Sequence, residues 1–337
     1  MSRGAALAGV LDDCASLAIV CHDNPDPDTL ASALALESIA LERDVTDVVI
    51  VYGGEISHQQ NRAFVTQLEL DVEPLEHLAD DDYECLAFVD HSRHGATTSL
   101  SSAYTPDIVV DHHPGDPVDT TFVDVRTDYG ATATIFVEYL LDLDIEPSTR
   151  LASALLFALH RERLDFVRDP TRREYEAALA VYPEADLEIL GQLYGSAFSP
   201  ATIDAIGRAI TSRKRRGSSV VASVGRTPET DALPQAADYL LNIEGVDTVL
   251  TYGVIGDRIR LSGRSIDPRI DVGSILESAY GDLGSAGGHH DMAGGRIDLG
   301  LFVDETDDDD LLQFVDRRVT RRFFEALNLD AESETGV

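Results

Sequence analysis

The first half of the chain alternates short β-branched apolar runs with longer amphipathic stretches, the pattern of a parallel sheet covered by helices. SLAIVCH, Ser16 to His22, reads as a strand, and DVVIVY, Asp47 to Tyr52, as a second. CLAFVDH, Cys85 to His91, and DIVVDHH, Asp107 to His113, are two more, with TFVDVR, Thr121 to Arg126, a fifth. The segment from Pro27 through Leu41 predicts a helix with Leu30, Leu34, Ser38 and Leu41 on one stripe. Further helices are predicted near Ser57 to Leu70, Ala131 to Leu141 and Ser148 to Leu159.

From about Asp169 to Ser212 the pattern is helical throughout and links two halves. A second unit follows the basic run Arg213, Lys214, Arg215, Arg216. It offers a strand over Ser218 to Gly225, a helix near Leu233 to Leu241, strands near Thr248 to Ile255 and Arg258 to Arg264, and a helix near Val272 to Tyr280. A glycine-rich loop comes next, and the acidic run Asp307 to Asp310 opens a final helix, where negative charge suits the helix dipole. The chain is therefore expected to be α/β, a parallel-sheet N-terminal domain over 1–190 and a smaller α/β domain over 215–327. A helical linker over 191–214 joins them, and a tail occupies 328–337.

Composition narrows the setting. At 337 residues the chain is long enough for two buried cores, and its hydrophobic content of 44% is ordinary for a globular protein. A net charge of -35, with 61 acidic against 26 basic residues and Lys214 as the only lysine, is not ordinary. Such a surface repels itself and any polyanion unless salt screens it, so a very salty cytoplasm is the expected home. An acidic mesophilic protein is the alternative. The three cysteines, Cys14, Cys21 and Cys85, have no CxxC spacing. Cys21 and Cys85 read as small buried hydrophobes, and neither a disulfide framework nor a zinc site is expected. No signal peptide or membrane-length apolar stretch is apparent, which points to a cytoplasmic protein.

Candidate chemistry gathers at strand ends. His22, Asn24, Asp26 and Asp28 follow the first strand; CLAFVDH delivers Asp90 and His91; DIVVDHH delivers Asp111, His112 and His113. In an open parallel sheet these carboxyl ends share one edge, where ligands bind. Each cluster alone has a plainer explanation, with Asp26 capping a helix that has Pro27 at its first position, and Asp90 and Asp111 as turn residues. Three such sets on three strand ends favour a metal centre of carboxylates and imidazoles, suited to Mn²⁺, Fe²⁺, Co²⁺ or Zn²⁺.

HDNPDPD (His22 to Asp28), VDH (Val89 to His91) and DHH (Asp111 to His113) resemble the first three motifs of DHH phosphoesterases. GSAGGHHDMAGG (Gly284 to Gly295) resembles the glycine-histidine signature of the DHH-associated domain of the first type, and LSGRS (Leu261 to Ser265) its arginine strand. The resemblance runs in the family's order from about Ser16 to about Ile297. It implies two divalent cations, Mn²⁺ foremost with Mg²⁺ or Co²⁺ as alternatives. His22 and Asp26 would hold one, Asp28 and His112 the other, with Asp90 bridging. His113 would orient the scissile phosphate or act as general acid, and Asp111 would fix an imidazole tautomer. Arg264, Gly287, Gly288 and His289 would bind substrate phosphate in a second domain that closes over the site. The chain departs from the family at a fourth motif. In ALHRERLDF the expected aspartate is Glu162, with Asp165 as the nearby substitute, while His160 reads as a helix-surface residue.

The activity so implied is hydrolysis of short oligoribonucleotides or pAp by a hydroxide that two cations make available at neutral pH, as in the nanoRNase group. Cyclic di-AMP or pApA phosphodiesterases are close alternatives. RecJ-type exonucleases carry extra domains this length does not accommodate, and pyrophosphatases of the family have a different second domain. A catalytically weak nucleotide-binding regulator is the non-enzymatic alternative, to which only Glu162 points. A nicotinamide dehydrogenase is disfavoured, since no GxGxxG follows the first strand. The partners implied are a small nucleotide or short RNA and a second copy of the chain in a homodimer.

Overall fold

The computed structural model describes residues 2–78, 83–95, 97–163, 165–166, 170–195, 199–300 and 308–329. Asp307 and the tail beyond residue 329 lie outside the described residues. The chain divides into two compact units, Met1–Ala197 and Phe198–Val337.

The first unit runs α1 (Arg3–Leu11), β1 (Ser16–Val20), α2 (Pro27–Leu41), β2 (Asp47–Tyr52), α3 (Gln59–Gln67), β3 (Glu73–Pro74), β4 (Cys85–Val89), β5 (Ile108–Asp111) and β6 (Phe122–Val125). Four helices complete it: α4 (Thr132–Asp142), α5 (Thr149–Glu162), α6 (Arg172–Val181) and α7 (Leu187–Gly195). Its six strands are all parallel in the order β3-β2-β1-β4-β5-β6. The chain winds outward in opposite directions from β1 and β4, so a crevice opens at their carboxyl ends. Both faces of the sheet are covered, which is why β4 reads as an unbroken apolar run. Leu17 and Ile19 pack toward α2, α4 and α5, while Ala18 and Val20 meet Phe88, Leu100 and Val109 on the other face.

α2 is buried almost all round, with Ala31, Ala33, Ala35, Leu36 and Ile39 as inaccessible as Leu30 and Leu34. The single stripe expected from sequence is too narrow, and its last member Leu41 is exposed. The helix is central, packed between the sheet and the pair α4 and α5. Cys14 and Cys85 are joined by a disulfide, Cα atoms 5.8 Å apart. This corrects the reading of Cys85 as an unpaired hydrophobe; only tertiary folding brings the start of β4 beside the turn before β1. Cys21 is free and buried.

The second unit runs α8 (Pro200–Ser212), β7 (Lys214–Arg216), β8 (Ser219–Arg226), α9 (Ala232–Leu241), β9 (Thr248–Ile255), β10 (Arg258–Ser265), α10 (Val272–Tyr280), β11 (Ser285–Gly288), β12 (Met292–Asp298) and α11 (Asp308–Ala326). Its sheet has the order β11-β12-β10-β9-β8-β7, antiparallel except where β8 meets β9. α8 lies in this unit, not in a linker, because Ala205, Ile206 and Ala209 are buried against β8 and α9. The glycine-rich segment is a hairpin of β11 and β12, not an irregular loop.

The basic run forms edge strand β7, and its charges are engaged locally. Lys214 pairs with Asp316, Arg215 donates to the carbonyls of Gly217, Glu244 and Gly245, and Arg216 donates to Leu329 and lies over Phe324.

Candidate metal centre

The turn after β1 is built by its own side chains. Asp26 Oδ1 accepts from the amides of Asp28 and Thr29, and Pro27 begins α2. The capping role expected of Asp26 is therefore real, and it coexists with a place at the crevice, because the same Oδ1 also faces His22 Nε2.

Asp90 stands at the centre. It follows β4 with φ +64°, in the left-handed region that aspartate tolerates better than most residues. Its side chain is buried, and each oxygen is held by a threonine. Thr29 Oγ1 donates to Oδ2 at 2.6 Å, and Thr132 Oγ1 to Oδ1 at 2.7 Å. The two oxygens thus face opposite ways. Oδ2 lies 3.7 Å from His22 Nε2, and Oδ1 lies 3.7 Å from His112 Nε2.

Both imidazoles are oriented by backbone. His22 Nδ1 meets the Asp23 carbonyl at 2.9 Å and His112 Nδ1 the Tyr129 carbonyl at 3.2 Å. A carbonyl can only accept, so each Nδ1 carries a proton and each Nε2 is left to face a carboxylate. His22 Nε2 is also 4.0 Å from Asp26, and His112 Nε2 is 3.8 Å from Asp28. At these distances the imidazole nitrogens and the carboxylates do not bond one another directly; they leave room for a cation between them, given metal–ligand bonds of about 2.0–2.2 Å. Two overlapping sets result, His22 with Asp26 and Asp90, and His112 with His113 and Asp90.

Asp28 is buried and caps α4 from outside it, accepting from the amides of Thr132 and Ala133 at 2.8 and 2.7 Å. Burial, then the charge of Asp90, pushes its carboxyl pKa well up. Burial, then Asp26, raises that of Asp90. Glu162, the last residue of α5, is pushed up to about 7 by burial and by Asp26 and Asp90. Its charge therefore belongs to the same cluster. Asp165 does not: it lies past the helix at φ +54°, accepts from the Tyr194 hydroxyl, and sits 3.7 Å from His160. His160 is partly buried against Tyr194 and Phe166 rather than lying free on a helix surface.

His113 differs from the other imidazoles. Its Nδ1 is 2.9 Å from Asp111 Oδ1, which also accepts the His113 amide, and this bond raises its pKa to about 9. Nδ1 is 3.8 Å from Asp90 but already committed to Asp111. His91 is buried, stacked on Phe88, with its pKa lowered to about 4 by burial and no partner for Nε2.

Sequence reasoning missed Thr29 and Thr132. The threonine inside HDNPDPDT was a detectable signal; nothing local marks Thr132. In the second unit, Arg264 donates to Asp238 on α9, and Gly287 and Gly288 lie in β11. His289 forms the turn, its amide bonding Met292 and its carbonyl accepting from Gly273.

Residues 16–159 match the DHH family N-terminal domain, and residues 217–321 match the DHHA1 domain. The chain belongs to the DHH family. An uncharacterized protein of Methanocaldococcus jannaschii is 35% identical over 323 residues, covering 95% of this chain and 66% of that protein. The DHH chain thus spans just under two thirds of that relative's length. Among solved structures, an exopolyphosphatase-related protein from Bacteroides fragilis shares the fold with a TM-score of 0.74 at 13% identity, covering 96% of this chain and 97% of that one. A pGpG-specific phosphodiesterase from Vibrio cholerae gives a TM-score of 0.49 at 13% identity, over 94% and 100% of the two chains. Among the described residues no helix is long and apolar enough to cross a membrane.

Proposed function

We propose that this DHH protein is a divalent-cation-dependent phosphoesterase acting on short nucleotides, pAp and oligoribonucleotides of a few residues foremost. The observation that carries the reading is Asp90, whose two threonine-held oxygens each face an imidazole Nε2 at 3.7 Å. His22 and Asp26 would hold one cation, Asp28, His112 and Glu162 a second, and Asp90 both. Bound there, divalent cations would supply Lewis acidity toward a phosphate and activate water at neutral pH. His113, kept protonated by Asp111, is placed to donate a proton to a phosphate or leaving oxygen from Nε2. Arg264, Gly287, Gly288 and His289 are the residues proposed to capture substrate phosphate.

Short substrates are favoured because the basic run offers no track. Arg215 and Arg216 donate to carbonyls and Lys214 meets Asp316. A surface at -35 also repels a long polyanion. Product release should therefore be followed from pAp, pApA, cyclic di-AMP and a 24-mer RNA, with Mn²⁺ and with EDTA, from low to molar KCl. Turnover of a short substrate that chelation and Asp90→Asn both abolish is expected. Full activity in EDTA, or 24-mer cleavage that is faster and collapses with salt, refutes the reading.

A further inference from the structure

The open face of the second unit's sheet carries two arginines that the fold itself does not explain. On β10, residues 258, 260, 262 and 264 share one face by alternation. Arg258 is answered across the strand by Asp298, at 2.8 Å, and Arg264 by Asp238 at 3.0 Å. Arg260 is answered by another arginine, because its register partner on β12 is Arg296. Neither guanidinium has a hydrogen bond or ion pair among the described residues. Like charges directly opposite on a sheet repel, and in a chain with 61 acidic residues a carboxylate would be the expected neighbour.

The two guanidiniums line a groove of 590 Å³ with Thr230, Ser262, Ser285 and the backbone of Gly294. That volume suits a ligand of nucleotide size. Gly294 is not demanded by packing: a Cβ there would meet only the Leu261 carbonyl oxygen, at 3.7 Å. The missing side chain leaves the groove floor flat and open.

We propose that this groove is a nucleotide subsite in which Arg260 and Arg296 together take a phosphate. Arg264 stands four residues along β10 with its guanidinium turned back to Ser262 Oγ at 3.3 Å, a residue that lines the same groove. The ligand class is then a nucleotide whose phosphate the Arg260–Arg296 pair holds. A converging pair of forks suits a phosphate's several oxygens better than a single point charge does. The inference rests on the nucleotide reading above for its ligand class, and on the unanswered arginine pair for its place.

The test is calorimetric titration of the intact chain with pApApA in EDTA at fixed KCl, where hydrolysis is off. Arg260→Gln and Arg296→Gln should each weaken binding about tenfold, as lost charge-assisted hydrogen bonds do. Gly294→Leu, which fills the floor, should weaken it as much, while thermal melting does not fall in the arginine variants, since each relieves a like-charge pair. Arg258→Gln removes the same charge from a carboxylate-paired site and should change affinity by no more than about twofold. No pApApA binding, or equal losses in Arg258→Gln and Arg260→Gln, overturns the subsite. Hydrolysis measured in parallel with Mn²⁺ separates the two readings. Wild-type turnover with unchanged binding in the arginine variants removes the subsite and leaves the phosphoesterase. Arginine-dependent binding without turnover of any substrate does the reverse.

Discussion

Replacing Glu162 by Gln removes one negative charge from the cluster of Asp26, Asp28 and Asp90 while keeping the side chain's length. Burial and those neighbours lift the Glu162 carboxyl from an ordinary 4.5 to about 7. The shift corresponds to about 3 kcal/mol between the protonation states. Because the folded value is the higher one, folding favours the protonated acid, and stability is lost as pH rises from 4.5 through 7. Glutamine does not titrate. The stability of Glu162→Gln relative to wild type should therefore climb by about 3 kcal/mol between pH 4.5 and pH 8 in metal-free protein. His91 works in the opposite direction, its folded value of about 4 making stability fall as pH drops below 6.5, but it does so in both proteins and cancels. Urea unfolding in EDTA at several pH values, at fixed KCl, measures the difference. With Mn²⁺ at pH 8 the ranking should change, wild type gaining more stability than the variant because it has the extra carboxylate. Parallel pH curves would show that Glu162 does not sit in the charged cluster. Equal stabilisation by Mn²⁺ would show that it does not face a cation.

Three further outcomes are expected. Thr29→Val or Thr132→Val removes a hydroxyl from Asp90 without changing shape and should weaken Mn²⁺ binding by about 10–100-fold, read by competition with a chelating dye; unchanged affinity would detach the threonines from the site. Asp111→Asn removes the negative charge from the bond that holds His113 near pKa 9, so the alkaline limb of the pH–rate profile, where the imidazolium loses its proton, should move to lower pH; an unmoved limb would assign that limb to another group. Reducing Cys14–Cys85, which closes a separation of 71 residues, should cost about 4 kcal/mol on the chain-entropy account, and urea midpoints with and without reductant decide it.

The parts of this protein that depend on neighbours in sequence were legible in it. Apolar runs such as LAIV and CLAFV specify strands locally, and the placement of His22, Asp90 and His112 just beyond them follows from a parallel sheet's single carboxyl edge. Asp26 with Pro27 marks the start of α2 because a cap needs only three consecutive residues. What sequence left open turns on contacts between distant segments. Glu162 rather than Asp165 joins the cluster because α5 ends at Glu162, after which the backbone turns left-handed and Asp165 meets Tyr194. The threonines that aim Asp90 lie 61 and 42 positions from it, and the disulfide spans 71, separations over which no local pattern carries information. By sequence the basic run suits an RNA backbone track and an exposed helix end equally, and folding sets carbonyls and Asp316 against it, whereas Arg260 gained its meaning only when strand register placed Arg296, and not a carboxylate, opposite. Charge is written in sequence; whether a charge is already neutralised is decided by packing.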